Sequence, residues 1–354
     1  MMRGALDFNQ CPLLVIWEVT RACDLACRHC RACADAHRDP AELSFEEGCR
    51  LIDEVKAMGT PLMIFSGGDP LQRDDLESLV RHAKAQGLRA ATIPASTPRL
   101  TRERVRALKA AGLDQIAFSI DGATREKHDA FRGVEGSFDA VMQGVRWAHE
   151  EGIPLQINSV FGSWNVDEFD AMAALVQQLE IVFWEVFFLV PTGRGKELDC
   201  ATADQMEQLF EKLNLLTRHA NFIVKLTEAP HFRRYQRQHP HPEGTAIPHP
   251  MNRAPIAASV QTVNAGRGFC FVDHTGIISP SGFLPLPCGN VREQSIADVY
   301  RAHPTFVALR DVSRIGGKCG ICPYLNLCTG GSRARAYAVH GSLEAEEPCC
   351  AFVP

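Results

Sequence analysis

Three cysteines in Thr20-Arg-Ala-Cys23-Asp-Leu-Ala-Cys27-Arg-His-Cys30 are spaced Cys-x3-Cys-x2-Cys, close enough for one loop to turn their sulfurs toward a shared metal centre. Clustered thiolates hold either zinc or an iron–sulfur cluster. Cys33 follows Cys30 with two residues between them, so a four-thiol structural zinc site stands open beside a three-thiol site. A second group, Cys319-Gly-Ile-Cys322-Pro-Tyr-Leu-Asn-Leu-Cys328, has Cys-x2-Cys-x5-Cys spacing and is followed by Cys349-Cys350. It too fits a zinc ribbon or an iron–sulfur cluster, with either Cys349 or Cys350 as fourth ligand.

The 354 residues include fourteen cysteines, 45% apolar and 22% charged positions, a globular composition that excludes disordered, collagen-like and coiled-coil classes. A formal charge of -5 gives no general footprint for nucleic acid or an anionic membrane. Met1–Gln10 has no apolar core behind Arg3, which argues against a secretory signal. The longest apolar run, Ile181–Val190, is broken by Glu185 and is about half a membrane span. A cytoplasmic setting follows, and because disulfides are discouraged there the cysteines read as metal ligands or as small apolar residues. Cys11, Cys49 and Cys200 belong with the latter, and Cys270 and Cys288 are too few to define a site.

The elements that must position these thiols alternate. Apolar, β-branched runs at Leu13–Val19, Leu62–Phe65, Leu88–Ile93, Gln115–Ile120, Leu155–Val160 and Ile181–Val190 read as buried parallel strands. Between them, Phe169, Met172, Val176 and Leu179, and then Met206, Leu209, Phe210 and Leu213, repeat at helical spacing. Ser44-Phe-Glu-Glu47 and Thr202-Ala-Asp-Gln205 have capping-box form. Six β-then-α units imply a parallel sheet with right-handed crossovers, as an open barrel or a doubly wound sheet. The first cysteine loop then lies at the carboxyl end of a strand, the edge where α/β folds build sites. Glu228–Pro255, with six prolines and four histidines, reads as a loop whose histidines are solvated. The expected division is a lead-in (1–12), an α/β unit (13–218), a linker (219–266) and a small cysteine-rich C-terminal domain (267–354).

The three-cysteine spacing, with the aromatic-type His29 just before the third cysteine, resembles the cluster loop of the radical S-adenosylmethionine (SAM) enzymes. That resemblance implies a partial (β/α)6 barrel in which Cys23, Cys27 and Cys30 hold three corners of a [4Fe–4S] cluster. The fourth iron takes the amino and carboxylate groups of SAM, an electron cleaves the S–C5′ bond, and the 5′-deoxyadenosyl radical abstracts hydrogen from the substrate. A fourth thiolate from Cys33 would close that site. Ser66-Gly67-Gly68-Asp69-Pro70 resembles the family segment that receives the SAM amino group, paired glycines permitting close backbone approach and Asp69 suiting an ammonium. Ser119-Ile-Asp121-Gly122 falls where the ribose or methionine part binds. Arg132 sits where such enzymes often hold the SAM carboxylate, Asn158-Ser159 are ribose candidates, and the turn containing Pro191, Leu189–Gly193, resembles the adenine end.

The C-terminal group is similar to the SPASM or twitch extension of these enzymes, which implies one auxiliary [4Fe–4S] cluster on Cys319, Cys322, Cys328 and either Cys349 or Cys350, the family separation favouring Cys350. A full SPASM domain uses two further cysteines where this chain has Ser281, after Gly276, and Ser332, so the second auxiliary cluster is expected to be missing. The run Phe271–Pro285, then Gly289-Asn-Val-Arg and Ser332–Tyr337, looks closest to the haem d1 and alternative haem b branch, which removes or alters tetrapyrrole propionates. Arg233, Arg234, Arg237, Arg333 and Arg335 then become carboxylate contacts. A ribosomal-peptide maturase and a non-catalytic zinc scaffold are the alternatives. Flavodoxin or ferredoxin is the implied class of electron donor, and no general acid or base is assigned.

Overall fold

The computed structural model describes residues 6–240 and 261–354. Six parallel strands coincide with the expected apolar runs, β2 and β5 each reaching one residue further: β1 (Leu14–Glu18), β2 (Leu62–Ser66), β3 (Arg89–Thr92), β4 (Gln115–Ser119), β5 (Leu155–Phe161) and β6 (Phe183–Phe188). They lie side by side in chain order, with helices α1 (Phe45–Ala57), α2 (Leu76–Ala85), α3 (Arg102–Ala110), α4 (Arg125–Arg132), α5 (Ser137–Glu150), α6 (Phe169–Gln177) and α7 (Ala203–Leu216) between and after them. Both capping boxes form, at Ser44 and Thr202.

The two faces of each strand do different work. Val15, Trp17, Met63, Phe65, Ile116, Phe118, Trp184 and Val186 pack into the main core with residues of the helices. Their neighbours Leu14, Ile16, Leu62, Ile64, Gln115, Ala117, Glu185 and Phe187 line a cavity of about 340 Å3. Because every strand from β1 to β6 contributes to that one cavity, the sheet curls around it as a partial barrel. Period-2 alternation thus explains why Gln115, Gln156 and Glu185 interrupt apolar strands: they face the hollow side.

Two features depart from the expected boundaries. Within the supposed linker, β7 (Ile223–Thr227) adds a seventh parallel strand beside β6, and α8 (Phe232–Gln238) follows it. Every residue of β7 is half-buried, as befits an edge strand, and its five residues give too little alternation to stand out. Of the four histidines, His231 is buried rather than solvated, while His241 and His249 lie outside the described residues. The C-terminal region is also not detached: β8 (Phe269–Val272) pairs parallel with β1 on its free side, and β9 (Ile277–Ser279) and β10 (Gly289–Asn290) continue the same sheet antiparallel. No helix among the described residues is long and apolar enough to cross a membrane.

Candidate active site

The loop leaving β1 carries the first cysteine trio. Cys23 and Cys27 are buried and Cys30 is half-buried, all in one small cluster with Leu25, Ala95 and Val134. Each sulfur accepts one N–H: Leu25 N donates to Cys23 Sγ at 3.4 Å, Arg132 Nη1 to Cys27 Sγ at 3.6 Å and Ala34 N to Cys30 Sγ at 3.5 Å. Burial pushes the Cys23 thiol up to about 12, so a cationic metal core is what would make it a thiolate. Cys33 is exposed and stands in a left-handed conformation, outside this cluster.

The other strand ends close around this loop. A Cβ on Gly67 would stand 2.6 Å from the Thr20 carbonyl, and one on Gly68 2.4 Å from that of Ala22, while Gly68 N and Asp69 N donate to those same oxygens. The paired glycines therefore let the strand end touch the chain that leads into Cys23. Asp69, the residue expected to suit an ammonium, has both carboxylate oxygens engaged within the protein. Its side chain is fully buried, with Oδ1 accepting from Leu71 N and Ala95 N and Oδ2 from Thr97 Oγ1. Burial raises its pKa, and its role is to tie this turn to the end of β3.

Asp121, beyond β4, forms a buried ion pair with Arg132 at the end of α4 and accepts from Val160 N at 2.8 Å. Burial would raise the Asp121 carboxyl, but Arg132 together with His29 and His128 outweighs it and holds it low. His29 stacks on Phe131 at 4.8 Å between centroids, and Phe131 in turn on Trp164 at 5.3 Å; burial drops its pKa to about 4, so the ring is neutral. Ser119, the last residue of β4, is the register partner of Asn158 in the middle of β5, and Asn158 Oδ1 accepts from Gln156 Nε2. Ser159 faces the other way and accepts from Trp184 Nε1 at 3.1 Å, which removes it as a ribose candidate.

The turn after Pro191 reaches the cysteine loop directly. A Cβ on Gly193, at φ 56°, would meet the Arg31 and Cys30 carbonyls at 2.4 and 2.5 Å, a close approach only glycine permits. The next residue was missed in the sequence: Arg194 donates from Nε to the Cys27 carbonyl at 2.9 Å and from Nη1 to that of Ala34 at 3.2 Å. A second missed group lies behind the loop, where Arg31 pairs with Glu18 at 2.9 Å and Glu18 meets His274 Nδ1 at 3.1 Å.

The structure brings the C-terminal thiols together as well. Cys319, Cys322, Cys328 and Cys350 line one small cavity with Gly330, Gly331 and Glu347, and Glu347 N donates to Cys319 Sγ at 3.5 Å. Cys349 turns away to hydrogen-bond Cys200. Ser281 is buried and lines the barrel cavity; Ser332 caps the helix Arg333–His340 and donates to the Glu228 carboxylate. Of the five arginines, Arg333 and Arg335 are buried and committed to main-chain oxygens, Arg335 also to Glu347. Arg234 is bound to Glu207 and Arg237 is exposed, leaving Arg233 on the barrel cavity wall. Two of the carboxylate contacts are thus corrected: full burial and internal bonds take Arg333 and Arg335 out of reach.

Among the described residues no three His, Cys, Asp or Glu side chains converge tightly enough to wrap one metal ion. Each cysteine group has buried polar atoms beside it. Near the first, His29 Nδ1 and Arg132 Nε are buried with no hydrogen-bond partner among the described residues; near the second, the same holds for Arg234 Nε. Buried polar atoms are rarely left so, and a polar group seated at each place would satisfy them.

A curled parallel sheet with a three-thiol loop at the carboxyl end of its first strand is the arrangement expected of the radical SAM class. Residues 17–176 match the model of the Radical SAM superfamily. The chain is 39% identical to the AdoMet-dependent heme synthase of Oleidesulfovibrio alaskensis over 100% of its length and 91% of that protein. It is 38% identical to the protein of the same name from Methanosarcina barkeri, over 99% of each. The crystal structure of Streptococcus suis SuiB bound to S-adenosylmethionine superposes with TM-score 0.73 at 17% identity, covering 97% of this chain and 78% of that one. The chain belongs to the radical SAM superfamily, whose members use SAM and a [4Fe–4S] cluster.

Proposed function

We propose that this enzyme acts on an iron tetrapyrrole, altering or removing propionate carboxyl groups by radical chemistry. The observation that carries the reading is the barrel cavity, about 340 Å3 with apolar walls and a few polar groups, under the strand ends that bear the cysteine loop. It has the size and lining of a small-molecule site, and the relatives named heme synthases match along the whole chain.

In this reading Cys23, Cys27 and Cys30 hold the cluster, which when bound to SAM supplies a carbon radical able to take hydrogen from the substrate. Gly67 and Gly68 bring the β2 end against the loop. Arg132, anchored by Asp121, directs its guanidinium at Cys27, where it suits the SAM carboxylate. His29, Ser119, Asn158 and Pro191 remain the candidates for further SAM contacts, and Arg194 fixes the loop by its carbonyls. Cys319, Cys322, Cys328 and Cys350 hold one auxiliary [4Fe–4S] cluster; Ser281 and Ser332, hydroxyls in place of thiols, leave a second without ligands. Flavodoxin or ferredoxin supplies electrons, and fourteen free thiols suit a cytoplasmic setting.

The test is anaerobic incubation of reduced enzyme with SAM and iron coproporphyrin III, followed by mass spectrometry. Loss of carboxyl mass from the porphyrin with matching 5′-deoxyadenosine is expected; 5′-deoxyadenosine with an unaltered porphyrin would refute the substrate.

A further inference from the structure

The barrel cavity contains an ion pair that the cysteine centres do not use. Glu185, facing inward from β6, accepts from Lys225 Nζ at 2.8 Å, from Thr227 Oγ1, and from Gln156 Nε2 at 2.9 Å; Gln156 Oε1 accepts in turn from Gln115. All five residues line the cavity. The partners are unequal. Glu185 has two donors besides the lysine, so its carboxylate stays hydrogen-bonded if the ammonium swings away. Lys225 has one hydrogen-bond partner among the described residues and three N–H groups to offer, and its side chain is 34% exposed, against 14% for Glu185.

The local charge balance points the same way. Among the described residues the acids on the cavity wall are Glu185 and Glu228, the bases Lys225 and Arg233. Burial pushes the Glu228 carboxyl up against the pull of Ser332 and Arg335, and its Oε2 accepts from Ser332 Oγ, so this acid has a partner of its own. Burial works against the charge on Glu185 too, yet Lys225, Thr227 and Gln156 together hold that pKa down, so this acid stays ionised. An anionic group entering the cavity therefore finds one ammonium with spare donors and no unpaired carboxylate beside it.

We propose that Lys225 is a substrate-carboxylate anchor: its ammonium receives a carboxylate of the substrate while Glu185, kept in place by Gln156 and Thr227, holds the lysine stem oriented toward the cavity. This inference rests on the tetrapyrrole reading and fixes one point of contact within it. Apolar residues from the strands on either side, Leu14, Ile16, Ile64, Phe183 and Phe187, form a wall suited to the flat body whose carboxylate the lysine takes.

The full-length, anaerobically reconstituted enzyme is titrated with iron coproporphyrin III and followed by the Soret band, alongside Lys225→Gln, Lys225→Arg and the porphyrin tetramethyl ester. Lys225→Gln is expected to raise Kd about tenfold, the scale of a lost charge-assisted hydrogen bond, and to weaken its salt dependence. Lys225→Arg, which keeps the charge, restores binding to within about threefold, which separates loss of contact from loss of fold. The ester, having no carboxylate, binds wild type and Lys225→Gln alike. Equal Kd values for the free acid in wild type and Lys225→Gln overturn the anchor while leaving the tetrapyrrole reading standing. Absence of any porphyrin binding by the wild type overturns both.

Discussion

The two cysteine groups differ in how the chain surrounds them. Cys23, Cys27 and Cys30 share one loop, each sulfur accepting a single N–H, beside the unpartnered Nδ1 of His29 and Nε of Arg132. Cys319, Cys322, Cys328 and Cys350 converge from two separate pieces of chain onto one small cavity. Three protein ligands leave a coordination position for an exchangeable molecule, whereas four close the centre. In the proposed reading the first group therefore breaks bonds and the second handles electrons.

The most direct way to break that division is to remove each group in turn. Cys23, Cys27 and Cys30 replaced together by Ala should lower iron from about eight to about four per chain and abolish 5′-deoxyadenosine formation. The triple Ala variant of Cys319, Cys322 and Cys328 should lose a similar amount of iron, yet keep SAM cleavage while product formation from the porphyrin stops. Iron analysis and chromatography of 5′-deoxyadenosine read both; equal loss of SAM cleavage in the two variants removes the distinction.

Much of the first group was legible because its signals are local. A thiol loop after an apolar run, a Gly-Gly turn and Ser-x-Asp each occupy a few consecutive residues, and the six strands that order them have buried β-branched sequences. What stayed hidden depends on long-range contacts. Asp69 looks like a ligand-binding acid until Thr97, on another turn, is seen to occupy it. Arg194 acts on carbonyls more than a hundred residues earlier in the chain, and main-chain acceptors have no sequence signature. Ser332 was read by the thiol it lacks, while its actual partner, Glu228, fell in a stretch read as linker. Glu185 registered only as a break in an apolar run.

Arg132→Ala sharpens the comparison at the open site. The variant strands the buried Asp121 carboxylate, at a cost of about 3 kcal/mol near neutral pH, and weakens SAM cleavage along with stability. In the wild type the Asp121 carboxyl is held below its ordinary value, so its contribution is present above that value and lost as pH falls through the depressed one. Without Arg132 and its charge, burial raises the carboxyl instead, and acidification then relieves the penalty. Urea midpoints at pH 7 and pH 5 should show the gap between variant and wild type narrowing in acid. A gap that widens would contradict the pairing.

At the closed site the corresponding effect is smaller. Ser332→Ala removes the hydroxyl donor to Glu228 and the cap of the following helix, which costs about 1–3 kcal/mol. Iron content should not change, because the hydroxyl is engaged with a carboxylate and not with a metal. Loss of iron in the purified, folded variant would place Ser332 among the ligands.

The smallest effect concerns how the two regions touch. His274, in the turn after β8, meets Glu18 at 3.1 Å and lies 3.4 Å from Asp39; Glu18 holds Arg31, which sits 4.6 Å over the Phe271 ring. The C-terminal region thereby braces the residue that follows Cys30. Burial disfavours the charged imidazole, but the Glu18 hydrogen bond and charge, with Asp273 and Asp39, outweigh it and raise the His274 pKa. A raised folded-state value means the stabilisation is complete below the ordinary histidine pKa of about 6.5 and is lost as pH rises through the raised value. The wild type should therefore lose up to about 1 kcal/mol across that interval, and His274→Gln should be flatter there, as read by thermal unfolding at pH 6 and pH 8. If the variant keeps the wild-type slope, the imidazole is not the group that titrates, and the brace between the two cysteine regions rests on packing alone.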